Sequence, residues 1–483
     1  MVGDVENDPM VRNSFKFIIL LCVGCMALAG CGGRGSTGGG VPPPGTAPVV
    51  LAMTDTPPTN VTVLAAEVTL TGATLAPGNV SLLSSPTTVE LTRLKTDMAY
   101  LGTTKVAQGT YTSLTLTFAN PSLTIENDTG SVIGTCAIGA ICTISPTTVA
   151  NLSKTITLPT FMASSNTAAG LLVDVNLDNL LSATLGADFG AATTASEFAP
   201  ATNGPPLFEA EDVMGQVTST DTVHNSFLFQ NVTGQNSLLV DNTTSFFQFP
   251  ANVCATPAFS CLHSNQILRV DIGFRSDGTV MARNVVFEDG DNSDTEVEGM
   301  ITGTNLGSQQ FNIVTLGQSA AVSGLKIGDT ATVQYSLSPP TVFDVDFAHA
   351  DSVQISTGGF SFAPLASPTD LFVGQQVQIR RNPSSLGAAI TADRVRLGSS
   401  RITASVQSIA TPNIFLSNLP SLFSGHGITQ IEAQTFLPTI FAETERTITL
   451  SLIPQAGVVA VRGPLFNVSG TRTQVATKVV LKP

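Results

Sequence analysis

Ser113-Leu114-Thr115-Leu116-Thr117-Phe118 places an apolar side chain at every second position, with a hydroxyl residue between each pair. Successive side chains of a strand point to opposite faces, so this period of two predicts a half-buried β-strand. The pattern recurs at Val61-Thr62-Val63 and in the stretch Leu171-Leu172-Val173-Asp174-Val175-Asn176-Leu177, where Leu171, Val173, Val175 and Leu177 share a face. Turn-forming residues separate these runs: Pro57-Pro58, Ala76-Pro77-Gly78-Asn79, Gly109-Thr110-Tyr111 and Asn127-Asp128-Thr129-Gly130. Short strands with frequent turns pack most economically as a β-sandwich. Residues 49–200 are assigned to one, with a short helix near 179–192 and a linker over 195–206.

The remainder of the chain is internally repeated. Val213-Met214-Gly215-Gln216-Val217, Val297-Glu298-Gly299-Met300-Ile301 and Ile402-Thr403-Ala404-Ser405-Val406 open three units. The units close alike on Ala-x-x-Val-x-apolar, at Ala282-Arg283-Asn284-Val285-Val286-Phe287, Ala392-Asp393-Arg394-Val395-Arg396-Leu397 and Ala476-Thr477-Lys478-Val479-Val480-Leu481. Between these marks lie Thr244-Ser245-Phe246, Thr341-Val342-Phe343 and Thr439-Ile440-Phe441. Three marks in the same order identify a repeat, with modules at 207–290, 297–398 and 401–483. Closing such small sheets removes their vulnerable edges, so each module is expected to be a small barrel. The fold class expected is all-β: a sandwich followed by three barrel-like modules.

The amino-terminal stretch supplies an address. Arg12 and Lys16 precede an apolar run over residues 17–28, the layout of a secretory signal. The run ends at Gly30-Cys31-Gly32-Gly33-Arg34, short of the ~20 apolar residues a membrane-spanning helix needs. Leu28-Ala29-Gly30-Cys31 resembles the bacterial lipobox, which implies that residues 1–30 are a lipoprotein signal peptide and that the Cys31 thiol carries a diacylglycerol anchor. Each buried CH2 of such chains contributes about 0.8 kcal/mol, and stable anchoring takes more than one chain. Asp4, Glu6 and Asp8 suit a secretory signal poorly, which places the true start at Met10. By resemblance to lipoproteins of Gram-negative bacteria, the absence of Asp at position 32 favours the outer membrane. Residues 31–48, rich in Gly and then Pro, read as a tether that is flexible first and extended later.

Two family resemblances follow. Leu51-Ala52-Met53-Thr54-Asp55-Thr56-Pro57, Leu101-Gly102 leading to Gly109-Thr110-Tyr111-Thr112-Ser113-Leu114, and Leu171-Leu172-Val173-Asp174-Val175-Asn176 resemble the domain of unknown function numbered 4382, over roughly residues 49–180. The three later modules resemble the domain of unknown function numbered 5666. Gly374-Gln375-Gln376-Val377 matches that family's Gly-x-x-Val strand, which Asn265-Gln266-Ile267-Leu268 and Ala456-Gly457-Val458-Val459 match less well. The first resemblance implies an envelope location and a β fold and implies no chemistry; the second implies small five- or six-strand modules.

Candidate chemistry is sparse. Cys22 and Cys25 lie within the signal, which leaves Cys136 with Cys142 and Cys254 with Cys261. In an oxidising envelope such close pairs read most simply as disulfides clipping hairpin loops, while zinc lacks further ligands at workable spacing. His224, His263, His349 and His426 have no partner at a recognisable interval, and Ser424-Gly425-His426 is a loop coincidence. No nucleophile, metal-protease or phosphate-loop pattern occurs, so a non-catalytic role is expected, with a hydrolase assembled from loops as the rival of another class. Glu288-Asp289-Gly290-Asp291-Asn292-Ser293-Asp294-Thr295-Glu296 reads as a solvated acidic linker. Asp289, Asp291, Asp294 and Glu296 form a weak calcium candidate there, because calcium takes several carboxylate oxygens; no other cofactor is expected. Asp55 is assigned to turn capping and Asp174 to a solvent-facing strand position.

A net charge of −14 argues against nucleic acid as a partner. With no Trp and three Tyr, at 100, 111 and 335, a sugar-stacking platform is not evident, and Phe227, Phe229, Phe246 and Phe311 read as core. The expected partners are the membrane, through the lipid, and an unidentified envelope protein or glycan. Glycan-binding or calcium-dependent adhesion is the alternative within the binding class.

Overall fold

The computed structural model describes residues 45–56, 62–198 apart from 166 and 183, 209–231, 234–275, 279–290, 295–318, 325–345, 368–381, 389–435, 439–442, 449–468 and 470–482. The stretch read as a signal, Cys31, nearly all of the stretch read as a tether, His349, Asp291 and Asp294 lie outside the described residues.

The fold is all-β. The first domain is a sandwich whose two sheets enclose one core. Thr46–Thr56 runs parallel to Ala169–Asn176 and antiparallel to Ala99–Ala107, and Thr193–Phe198 completes this sheet. Thr62–Ala76 and Ser113–Glu126 form the spine of the other. The alternation at 113–118 is realised: Leu114, Leu116 and Phe118 are buried, and Phe118 stacks on Phe189 with ring centroids 4.6 Å apart. Two boundaries differ from expectation. Pairing with Ala99–Ala107 starts at Thr46, inside the span read as tether, because Ala47 already points into the core. Residues 195–198 of the expected linker are strand instead, because Thr193–Phe198 is held on Ala169–Asn176; the rest of it lies outside the described residues. The short helix appears as two single turns, Leu177–Leu180 and Phe189–Ala192, capped by Asn176 and Asp188.

Each later module is a sheet closed on itself. In the first, Gly234–Leu239, Ser226–Asn231, Glu209–Asp221, Ile267–Phe274 and Val280–Asp289 are neighbours in that order, and Leu239 opposite Met281 closes the ring in parallel. The second repeats this order with Thr330–Gln334, Gln310–Gln318, Thr295–Asn305, Gln376–Arg381 and Ala389–Leu397, closed by Thr332 opposite Ala389. In the third, Ser399–Ala410 pairs with Asn413–Ser417 and Val458–Val468, while the closing strand is broken into Thr471–Val475 and Lys478–Leu481. Gly463 permits the break: its φ is +154° and a Cβ there would strike the carbonyl of Val475.

The repeat marks are structural contacts. Thr244 Oγ1 donates to the Ala282 carbonyl at 2.7 Å, and Thr341 Oγ1 to that of Ala392 at 2.8 Å. Thus the Thr-x-Phe and Ala-x-x-Val marks bind each other, with Phe246 opposite Val285 and Phe343 opposite Val395. In the third module Phe441 falls opposite Val480, one residue out of that register. Gly215 and Gly299 lie where the neighbouring strand approaches closely: a Cβ would meet Phe229 at 2.6 Å and Ile313 at 2.7 Å.

The modules pack on the sandwich and on each other. Thr46–Thr56 is buried on both faces, with Val49, Leu51 and Met53 in the sandwich core and Val50 and Ala52 against the first module. Leu64 and Ala65 of the sandwich share a core with the third module. Cys136–Cys142 clips the hairpin joining Ser113–Glu126 to Ile141–Ile144, with Cα atoms 5.8 Å apart. Cys254–Cys261, at 5.7 Å, closes the connection between Ser245–Phe247 and Ile267–Phe274, which is no hairpin because those strands do not pair with each other.

Candidate functional site: a polar cleft between the sandwich and the third module

Buried charge gathers where domains meet. Between the first two modules, Glu288 accepts from Arg269 Nε at 2.6 Å, Arg396 Nη1 at 2.9 Å and Arg394 Nη2 at 3.3 Å, and Arg394 Nη2 also reaches Glu296 Oε1 at 2.8 Å. This corrects the solvated-linker reading: Glu288 is 2% exposed and Glu296 0%. The flanks of the acidic run are strand ends whose carboxylates neutralise arginines brought in from the second module. Asp289 lies 3.5 Å from Arg380. Among the described residues no group of three His, Cys, Asp or Glu side chains is placed to hold a metal.

The second gathering surrounds the 3-10 turn Leu91–Lys95. Glu90 caps it, accepting from the backbone of Thr92 and Arg93 and, on the neighbouring strand of the same sheet, from Ala66 N at 2.8 Å. Burial raises the Glu90 carboxyl above its ordinary range, opposed by those hydrogen bonds. Just beyond the turn, Asp97 Oδ2 receives Nε and Nη2 of Arg401 at 2.8 and 2.5 Å, a two-pronged bond from the third module. Arg93 Nη1 meets Glu298 Oε2 of the second module at 3.0 Å.

Asp55 is also drawn into this seam, contrary to the turn-cap reading. It lies within Thr46–Thr56, is 0% exposed, and neither carboxylate oxygen accepts a hydrogen bond from the described residues. Lys482 Nζ donates to its backbone carbonyl at 3.0 Å. Burial raises the Asp55 carboxyl well above its ordinary value, against the opposing charges of Lys482 and Lys95. Asp174 stands half-buried on the face opposite Val173 and Val175, as its strand period requires.

Together these elements enclose a cleft of about 430 Å³ between the sandwich and the third module, within the ~300–1,000 Å³ usual for small-molecule sites. Lys95 lines one wall. Burial lowers the pKa of its ammonium, opposed by Asp55 and Glu90. The far wall carries Ser421, whose hydroxyl donates to Glu126 Oε2 at 2.7 Å, and Thr62, which donates to Asp128 Oδ2 at 3.1 Å. Thr403, Ser405 and Asn418 continue the lining.

Sequence reasoning missed this cleft. Its parts are separated by more than 300 residues, as in the 304 between Asp97 and Arg401, and no local spacing joins them. Among the described residues the histidines do not converge: His224 Nδ1 pairs with Asp221 at the surface at 2.7 Å, and His426 Nδ1 is turned to the Leu422 carbonyl at 2.9 Å rather than to a nucleophile. Tyr111 and Tyr335 are buried and Tyr100 half-buried. No helix among the described residues is long and apolar enough to cross a membrane.

No family model matches this chain, and no curated protein matches it. Among solved structures it is similar to drosophila Unr CSD456 at 11% identity, over 56% of this chain and 96% of that one, with a TM-score of 0.13, a likeness that carries no argument.

Proposed function

We propose that this chain is a lipid-anchored cell-envelope protein of the outer membrane, acting without catalysis as a binding or structural component. Leu28-Ala29-Gly30-Cys31 supports the address. The observation that carries the role is the construction of the seams. Arg93 to Glu298, Arg394 to Glu288 and Arg401 to Asp97 each cross a domain boundary through largely buried guanidinium groups. A chain joined in this way behaves as one rigid block, and its loops and cleft present a fixed surface to a partner. The resemblance of residues 49–180 to the envelope family numbered 4382 supports the same reading.

Detergent phase partitioning of native envelopes tests it. The intact protein is expected in the detergent phase and Cys31→Ser in the aqueous phase, with one stoichiometric envelope partner crosslinked to the anchored form only. Equal partitioning of the two would sink the anchor. Absence of any specific partner in both would sink the structural role.

A further inference from the structure

Among the described residues, Asp55 is the one carboxyl with both oxygens buried and without a hydrogen-bond partner, although buried polar groups are normally satisfied. A primary amine stands beside it. Lys482 is itself buried, and its Nζ reaches the Asp55 backbone carbonyl at 3.0 Å from 427 residues along the chain. That carbonyl oxygen and Cγ of the same residue are linked through Cα and Cβ, so standard bond lengths keep them within about 5 Å of each other. A change of rotamer in the aspartate or in the flexible lysine stem brings Nζ to the ~3–3.5 Å from Cγ at which reacting atoms meet.

In water an acid and an amine stand as carboxylate and ammonium, which do not condense. Burial penalises both charges, and it raises the Asp55 carboxyl well above its ordinary value. A proton passing from ammonium to carboxylate then gives a neutral amine facing a neutral acid, the reactive pair. We propose that Asp55 and Lys482 form a modification site, joined by an amide bond between Asp55 Cγ and Lys482 Nζ. The Nζ lone pair attacks Cγ, the Cγ–Nζ bond forms and one Cγ–O bond breaks, and that oxygen leaves with its own proton and one from Nζ as water. Nothing is oxidised or reduced, so the step needs no co-reactant. The remaining Nζ–H keeps the Asp55 carbonyl as its acceptor. The bond ties the Thr46–Thr56 strand of the sandwich to the residue that follows Lys478–Leu481 of the third module. The inference goes beyond the binding role proposed above and depends on neither that role nor the lipid anchor.

Peptide mapping of the full chain by mass spectrometry, after denaturation and reduction of its disulfides, tests this. The digest is expected to contain a branched peptide that holds both Asp55 and Lys482, with a mass equal to the sum of its two arms less one water, and fragmentation should place the junction on those two side chains. Lys482→Arg keeps a cation at that place but lacks the nucleophilic amine, and Asp55→Ala lacks the carboxyl; each should yield the two arms as separate linear peptides. Lys95, the other amine whose charge reaches Asp55, is partly exposed on the cleft and should stay unjoined. The native digest decides even where a variant fails to fold: linear peptides alone would overturn the proposal. A branch that persists in Lys482→Arg, a branch that runs from Lys95, or a loss of water without a branch, as a cyclic imide at Asp55 gives, would overturn it as well. The Cys31→Ser chain should carry the same branch, so failure of the anchor and failure of the cross-link are read separately.

Discussion

Glu296 is hydrogen-bonded to Arg394, yet burial, reinforced by the neighbouring Glu288 and Asp289, pushes its carboxyl up to about 7 from 4.5. A carboxyl raised in the folded state holds a proton that the unfolded chain has already released. Between those two values stability therefore falls as pH rises, and it levels off above the upper one. Burial shifts Glu90, Glu67 and Asp55 in the same direction. The protein should melt at higher temperature at pH 5 than at pH 8, and Glu296→Gln should flatten that slope, as thermal unfolding across the range would show; a slope of opposite sign, or one unchanged in the variant, would contradict it. Nothing in the acidic run itself marks Glu288 and Glu296 as buried. Their partners, Arg394 and Arg396, lie about a hundred residues away on a closing strand, and one-dimensional charge density cannot distinguish a solvated run from one that is neutralised in space.

The strands show why some repeat marks were legible and others faint. Gly374 fits the Gly-x-x-Val pattern, whereas Asn265 and Ala456 at the corresponding places looked like poor matches. All three adopt left-handed backbone, with φ of +85°, +75° and +64°. Each makes the same reciprocal pair of bonds: the N–H groups of Asn265, Gly374 and Ala456 donate to the carbonyls of Val217, Ile301 and Val406, whose own N–H groups donate back to Gln266, Gln375 and Gly457. What repeats is a conformation, which glycine adopts freely, asparagine tolerates and alanine adopts at a cost of about 1 kcal/mol. Ala456→Gly should therefore raise stability by a few tenths to about 1 kcal/mol in urea unfolding. Gly374→Ala should do the reverse by more, because its Cβ would run into the Phe423 ring packed there from the third module. Equal effects of the two substitutions would contradict this account. Alternation and turn chemistry were readable because they are local; a shared φ hidden under three residue types was not.

For the molecule as a whole, the all-β class and the barrel-like modules were legible, because period-two patterning and repeated marks are properties of single strands and units. The arrangement of the modules was not, since a strand such as Thr46–Thr56, buried on both faces, does not reveal which neighbour covers its second face. Seams made of buried charge make that arrangement sensitive to single substitutions. Glu288→Gln leaves Arg269, Arg394 and Arg396 around a neutral amide, and should lower stability by about 3–5 kcal/mol in denaturant unfolding; a loss under 1 kcal/mol would show the seam to be solvated. The contact between Lys482 and Asp55 spans 427 residues, and it sets a timetable. At about 5–20 residues per second, the ribosome delivers Lys482 roughly 20–85 s after Asp55. Throughout that interval Leu64, Ala65 and Asp55 lack the contacts that the third module and the chain end supply, so the nascent chain must be shielded or kept unfolded there until its distal end arrives.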